Sequence, residues 1–131
     1  MYLFFDTETT GLPNNWNVPV TDVNNWPRLV QIAWLIFDKQ GNKLAENMSV
    51  IRPNGFVIPK EASDIHKITQ EEALAVGENL ELVLNNFYID VNDSAVVIAH
   101  NISYDEKIIG AEFIRNNMKN IIDSKNKVCT M

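Results

Sequence analysis

Residues 95–99, Ala-Val-Val-Ile-Ala, run apolar without a break, which predicts a strand in the interior of a sheet. Such a strand needs neighbours on both sides, and the sequence supplies them. Residues 2–5 are continuously apolar and aromatic, the pattern of a short buried strand. Residues 29–37 are rich in β-branched and aromatic side chains and predict a central strand. Lys39-Gln40-Gly41-Asn42 carries turn chemistry, and residues 43–51 alternate through Leu44, Glu46, Met48 and Val50, so these two segments predict a hairpin. Lys127 to Met131 predicts the start of one last strand.

Helical signals fill the intervals. Thr69, with Glu72 three residues on, forms a capping-box pattern for a helix that Gly77 stops. Leu80, Val83, Leu84, Phe87 and Tyr88 then recur at helical spacing along one face. Ser103 and Glu106 repeat the capping-box pattern before a helix that buries Ile108, Ile109 and Phe113. By contrast, Gly11 to Pro27 reads as a long surface loop packed down by Trp16 and Trp26, with base stacking as the lesser alternative for either ring, and Pro53, Gly55 and Pro59 mark a second irregular stretch. The order strand, hairpin, helices, strand, helix predicts an α/β fold, a mixed β-sheet flanked by helices. No repeat or linker divides residues 1–131, which read as one domain, and 46% apolar residues suffice for a core.

Charge narrows the partners. With 11 basic and 17 acidic side chains, the formal net charge is −6, so the whole-molecule field does not attract phosphates. That leaves a partner other than nucleic acid, or a polyanion engaged through bound cations. No apolar run is long enough for a membrane span, so no membrane association is expected. The opening apolar run stops at Asp6 and has no basic leader, so a signal peptide is not expected. Cys129 is the only cysteine, which rules out an internal disulfide and predicts a reducing, cytoplasmic setting.

The chemistry concentrates where the first strand runs out. Asp6 and Glu8 are two residues apart, and strand alternation places both carboxylates on one face. A bare Asp-x-Glu is more often a solvated strand end or half of an ion pair. Paired carboxylates also suit a hard divalent cation, Mg²⁺ or Mn²⁺, which prefers oxygen ligands. Thr9, Thr10 and Gly11 follow, with small side chains and a permissive backbone where a ligand can approach. Asp105 lies in the first turn of a helix, just after the apolar strand 95–99. Taken alone, an acid there more often simply stabilises a helix N-terminus, by ~0.3–1 kcal/mol, although it can also face the first pair across the strand ends.

Three segments together resemble the DEDD exonucleases, the group that contains the proofreading epsilon subunit of bacterial DNA polymerase III. Phe4-Phe5-Asp6-Thr7-Glu8-Thr9-Thr10-Gly11-Leu12 is similar to the first motif of that family. Ile58-Pro59-Lys60-Glu61-Ala62-Ser63-Asp64-Ile65-His66-Lys67-Ile68-Thr69 resembles its middle segment, with Lys67 where the family usually has Gly. His100-Asn101-Ile102-Ser103-Tyr104-Asp105 resembles its second catalytic motif. The resemblance implies an RNase H-like fold and a 3′–5′ exonuclease that hydrolyses phosphodiester bonds at a nucleic-acid 3′ end. DNA is the favoured substrate, RNA is possible, and a DNA polymerase is a possible partner. It further implies that Asp6, Glu8 and Asp105 are the catalytic, metal-binding carboxylates of a two-ion site for Mg²⁺ or Mn²⁺. Thr9, Leu12, Ala62, His66 and Tyr104 match positions that hold the terminal nucleotide.

The family's third motif brings a fourth carboxylate and a general base, His or Tyr. Of the acids after Asp105, Glu106 shares its helical turn, Glu112 reads as part of a charged helix surface, and Asp123 lies in a polar stretch. None sits in that pattern, so the sequence reads as the front portion of the family domain, truncated on its C-terminal side and impaired as a nuclease by itself. Two other readings remain open at this stage. One is a catalytically inactive nucleic-acid- or polymerase-binding module of the same fold, and the other is an unrelated α/β domain.

Overall fold

A computed structural model describes residues 1–131. Its sheet has five strands: β1 (Tyr2–Thr9), β2 (Leu29–Phe37), β3 (Lys43–Val50), β4 (Val96–Ala99) and β5 (Asn126–Cys129). Their order is β3-β2-β1-β4-β5. β2 runs antiparallel to both β1 and β3, whereas β4 runs parallel to β1 and β5 parallel to β4. The expected hairpin is present, and its turn closes because the Asp38 carboxylate accepts the main-chain N–H groups of Gln40 and Asn42 while Gly41 takes φ +83°.

β1 differs from the short buried strand expected. It continues through Asp6 and Glu8 to Thr9, and its burial alternates. Leu3, Phe5, Thr7 and Thr9 face the core, while Phe4 on the opposite face remains 39% exposed. Asp6 and Glu8 share that open face, in agreement with the period-two argument. A bulge opposite Glu8 and Thr9 lets Leu29 join the main core and Val30 point to a second, smaller cluster.

Four helices pack on this sheet: α1 (Lys60–His66), α2 (Gln70–Val76), α3 (Leu80–Asp93) and α4 (Ile102–Arg115). α3 and α4 cover the main core, in which Phe87 lies between Phe5, Trp34 and Phe113. None of the helices is long and apolar enough to cross a membrane. Thr69 caps α2 as expected, its hydroxyl accepting from the Glu72 N–H at 3.1 Å. Gly77 ends that helix because a Cβ there would lie 2.6 Å from the Arg52 nitrogen, so the requirement is close approach of backbone, not a special φ.

Three expectations are corrected. α1 was unanticipated in the irregular stretch after Pro53; Pro59 occupies its N-cap in extended geometry, and Lys67 ends it at φ +67°. That left-handed position costs a non-glycine residue about 1–2 kcal/mol, the physical reason a glycine suits it better. The Ser103–Glu106 capping box does not form: α4 begins at Ile102, the Asn101 carbonyl accepts from Tyr104 and Asp105, and Glu106 pairs with Lys127 at 2.9 Å. Glu112, expected on a charged surface, is completely buried between Arg28 and Arg115.

Candidate active site

Thr7 lies between the two carboxylates of β1 and points the other way, into the core, where its hydroxyl donates to Asp105 Oδ1 at 2.6 Å. The local sequence pattern assigns Thr7 no role of its own, yet its hydrogen bond ties the second motif to the first. Asp105 is 4% exposed and held at the start of α4. Burial pushes its carboxyl up to about 6, with the nearby Asp6 charge adding to the rise and the Thr7 bond opposing it. Glu8 is also raised, by desolvation first and by Asp6 second, while His66 acts in the opposite sense. The Asp6 charge is therefore felt by both Glu8 and Asp105, although the three do not close into a three-ligand cage. The donor set is all carboxylate oxygen with an excess of negative charge. Those properties fit a hard divalent cation and would not suit a soft one.

Next to Glu8 opens a cavity of about 420 Å³ whose walls include all five residues matched to the nucleotide position: Thr9, Leu12, Ala62, His66 and Tyr104. These residues come from β1, the loop after it, α1 and α4. Asp6 instead borders a shallow hollow on the open sheet face, and Asp105 sits behind the cavity wall through Thr7. The Tyr104 hydroxyl donates to the Gly11 carbonyl at 2.7 Å and lies 2.6 Å from Thr9 Oγ1, so it clamps the turn that follows β1. His66 is held at both nitrogens: Nδ1 accepts from the Ile68 N–H, which leaves Nε2 to donate to the Thr9 carbonyl at 3.1 Å. Its ring edge and face, not a free nitrogen, are what it offers a ligand.

The loop contributes one wall through a tryptophan that the sequence reading favours as a loop anchor over a stacking surface. Trp26 and Trp34 are buried, but Trp16 is 44% exposed and lines the cavity, its ring 5.6 Å from that of Tyr104. Leu12, 73% exposed, stands at the same mouth. The Asn15–Asn25 hydrogen bonds hold this part of the loop in place. A resemblance cannot find Trp16, since its position depends on how the loop folds back.

The raised Asp105 carboxyl has a measurable consequence for the metal-free protein. Because its folded value lies above the unfolded one, the group imposes no penalty below about pH 4, and the penalty grows until it is complete above about pH 6. Asp105→Asn is therefore expected to be more stable than wild type by about 1–2 kcal/mol at pH 7, after allowance for solvent screening. Thermal melts at pH 4 should show that advantage gone. A difference equal at both pH values would contradict the burial argument.

A mixed sheet with β1 at its centre, acids at the end of that strand and a third acid on the helix after β4 defines an RNase H-like α/β domain of the DEDD exonuclease class. The chain belongs to the RNase T exonuclease family, whose model it matches over residues 3–131. Among solved structures it is similar to E. coli exonuclease I bound to a dT13 oligonucleotide, with TM-score 0.77 and 20% identity over 98% of this chain and 27% of that one. The dA16 complex of the same enzyme gives TM-score 0.78 at 20% identity with the same coverage, and a product-bound exonuclease I gives 0.78 at 20% over 98% and 29%. The likeness at this identity is one of fold, and the chain spans less than a third of those structures' length. No curated protein matches the sequence.

Proposed function

We propose that this chain carries the substrate pocket and three of the acids of a 3′–5′ exonuclease, acting on DNA in preference to RNA in a reducing, cytoplasmic setting. The observation that carries this reading is the cavity beside Glu8, which gathers Thr9, Leu12, Ala62, His66 and Tyr104 from four separate parts of the chain. Asp6, Glu8 and Asp105 are the residues that would hold Mg²⁺ or Mn²⁺. Two bound ions would lower the pKa of the attacking water and stabilise charge on the phosphodiester oxygens.

The chain's own residues do the positioning. Leu12 and Trp16 present apolar surface at the cavity mouth, suited to the face of an unpaired terminal base. Tyr104 and His66 hold the backbone of Thr9 and Gly11 rigid, which fixes the main-chain groups nearest the terminal sugar. Asp105, braced by Thr7, keeps a carboxylate behind the pair on β1. The oligonucleotide complexes of exonuclease I support DNA as the substrate class.

A 5′-labelled single-stranded DNA incubated with Mn²⁺ tests the polarity. The expected products form a ladder that shortens from the 3′ end and vanishes with chelator, and a matched RNA is cut more slowly. Cuts at internal positions, or shortening from the 5′ end, would overturn the assignment.

A further inference from the structure

The chain has three arginines, Arg28, Arg52 and Arg115, and all three line one cleft of about 500 Å³. It lies between the start of β2, the residues after β3, the first turn of α3 and the end of α4. In a chain of net charge −6 this is a concentration of positive charge that the carboxylate site does not use. Two of the three guanidinium groups share a single buried counter-charge, Glu112, and the only acid lining the cleft itself is Glu81.

The donors are not all consumed internally. Both terminal nitrogens of Arg115 are engaged, with Glu112 and with the Val23 and Trp26 carbonyls. Arg28 uses only Nε on Glu112, and its guanidinium lies 4.6 Å from the centre of the Phe56 ring, so its two terminal nitrogens are held flat and unpartnered. Arg52 makes no ion pair or side-chain hydrogen bond and is exposed. Asn79 adds a side-chain amide beside the opening turn of α3, whose dipole also favours an anion. A planar fork held on an aromatic ring, in a cleft shared with a second free guanidinium, suits tetrahedral oxyanions.

We infer that the cleft between Arg28 and Arg52 binds a phosphate group, as a second site apart from the carboxylate pocket. The two sites are joined through backbone: the Arg28 N–H donates to Thr10 Oγ1 and the Thr10 N–H to the Arg28 carbonyl, both at 3.0 Å. Thr10 directly follows Thr9 of the nucleotide cavity. The phosphate can therefore come from a nucleic-acid strand engaged at both sites, or from free phosphate or a nucleotide.

NMR of the arginine Nε–Hε resonances, in chelator and at constant ionic strength, tests this without any need for cleavage. Inorganic phosphate is expected to shift Arg28 where equivalent chloride does not, and Arg52→Ala is expected to weaken that binding by about 5-fold or more, with Arg52→Lys intermediate. Arg52 is exposed, so the variant should melt like wild type. A dT8 oligonucleotide then separates the sources. If it displaces phosphate, with a salt slope that falls by about 1 in Arg52→Ala, the strand is the ligand; if it leaves the phosphate shift intact, free phosphate or a nucleotide is. No phosphate-specific shift, an equal response in Arg52→Ala, or tighter binding of a glutamate-rich peptide than of either phosphate ligand would overturn the site. Because chelator removes the metal, failure of the exonuclease reading leaves this result unchanged.

Discussion

Glu112→Ala is expected to destabilise the protein by about 3–5 kcal/mol, lowering Tm by roughly 10–20 °C. The Glu112 side chain is completely buried. Its carboxylate accepts from Arg28 Nε at 3.2 and 3.3 Å, from Arg115 Nη1 at 2.8 Å and from the Leu29 N–H at 2.9 Å. Alanine would leave two guanidinium groups facing each other without a counter-charge, strand a buried main-chain donor at the start of β2, and open a cavity. The first effect dominates, since removing one partner of a buried ion pair leaves the others unpaired in low dielectric. Glu112→Gln keeps the shape and an acceptor for Leu29, so it should lose less. Urea unfolding distinguishes them, and a loss under about 1 kcal/mol for the alanine variant would show that the arginines find other partners.

Asp6→Asn is expected to move activity and stability in opposite directions. On the proposed function, metal-dependent cleavage should fall about 10³-fold or more, because several kcal/mol of transition-state charge stabilisation would depend on the carboxylates proposed to hold the ions. The fold should not suffer. Asp6 is exposed on the open sheet face, and its charge raises both Glu8 and Asp105, so its removal relieves repulsion. Tm of the metal-free variant is expected to equal or exceed that of wild type. This combination is the signature of a site that gives up stability for function. A drop in Tm parallel to the drop in rate would mean that Asp6 acts structurally.

The parts of this arrangement that were legible in the sequence are those governed by local period. The shared face of Asp6 and Glu8 follows from strand alternation, and the α3 stripe through Val83, Leu84 and Phe87 follows from helical spacing. The resemblance to a known family supplied Thr9, Leu12, Ala62, His66 and Tyr104, and these do line one cavity. What stayed hidden depends on partners distant in the chain. Glu112 looks like surface until Arg28, 84 residues earlier, is folded against it. Thr7 becomes a brace only when α4 delivers Asp105, 98 residues later. Trp16 becomes a wall of the site only when its loop is pinned by Asn25. α1 was masked by Pro53, Gly55 and Pro59, which signal irregular chain locally although Pro59 serves as the entry to a helix.

The arginine cleft bears on the charge problem as well. An acidic chain that handles a polyanion needs positive charge near the substrate path. Bound cations at the carboxylates would be one source, and the clustering of every arginine on one surface is a second.

The most direct test of the central claim is calorimetric titration of Mn²⁺ into the metal-free protein at pH 7.5, with Asp6→Asn and an Asp6→Asn/Glu8→Gln double variant alongside. Wild type is expected to bind Mn²⁺ at pH 7.5, and to release protons as it does so only when the titration is repeated near pH 5.5, where Asp105 is partly protonated and the ion must find it ionised. The single variant should bind far more weakly and the double variant not at all, while all three melt as folded proteins. Equal heats in wild type and the double variant, or none in wild type, would contradict the assignment of these acids as a metal centre.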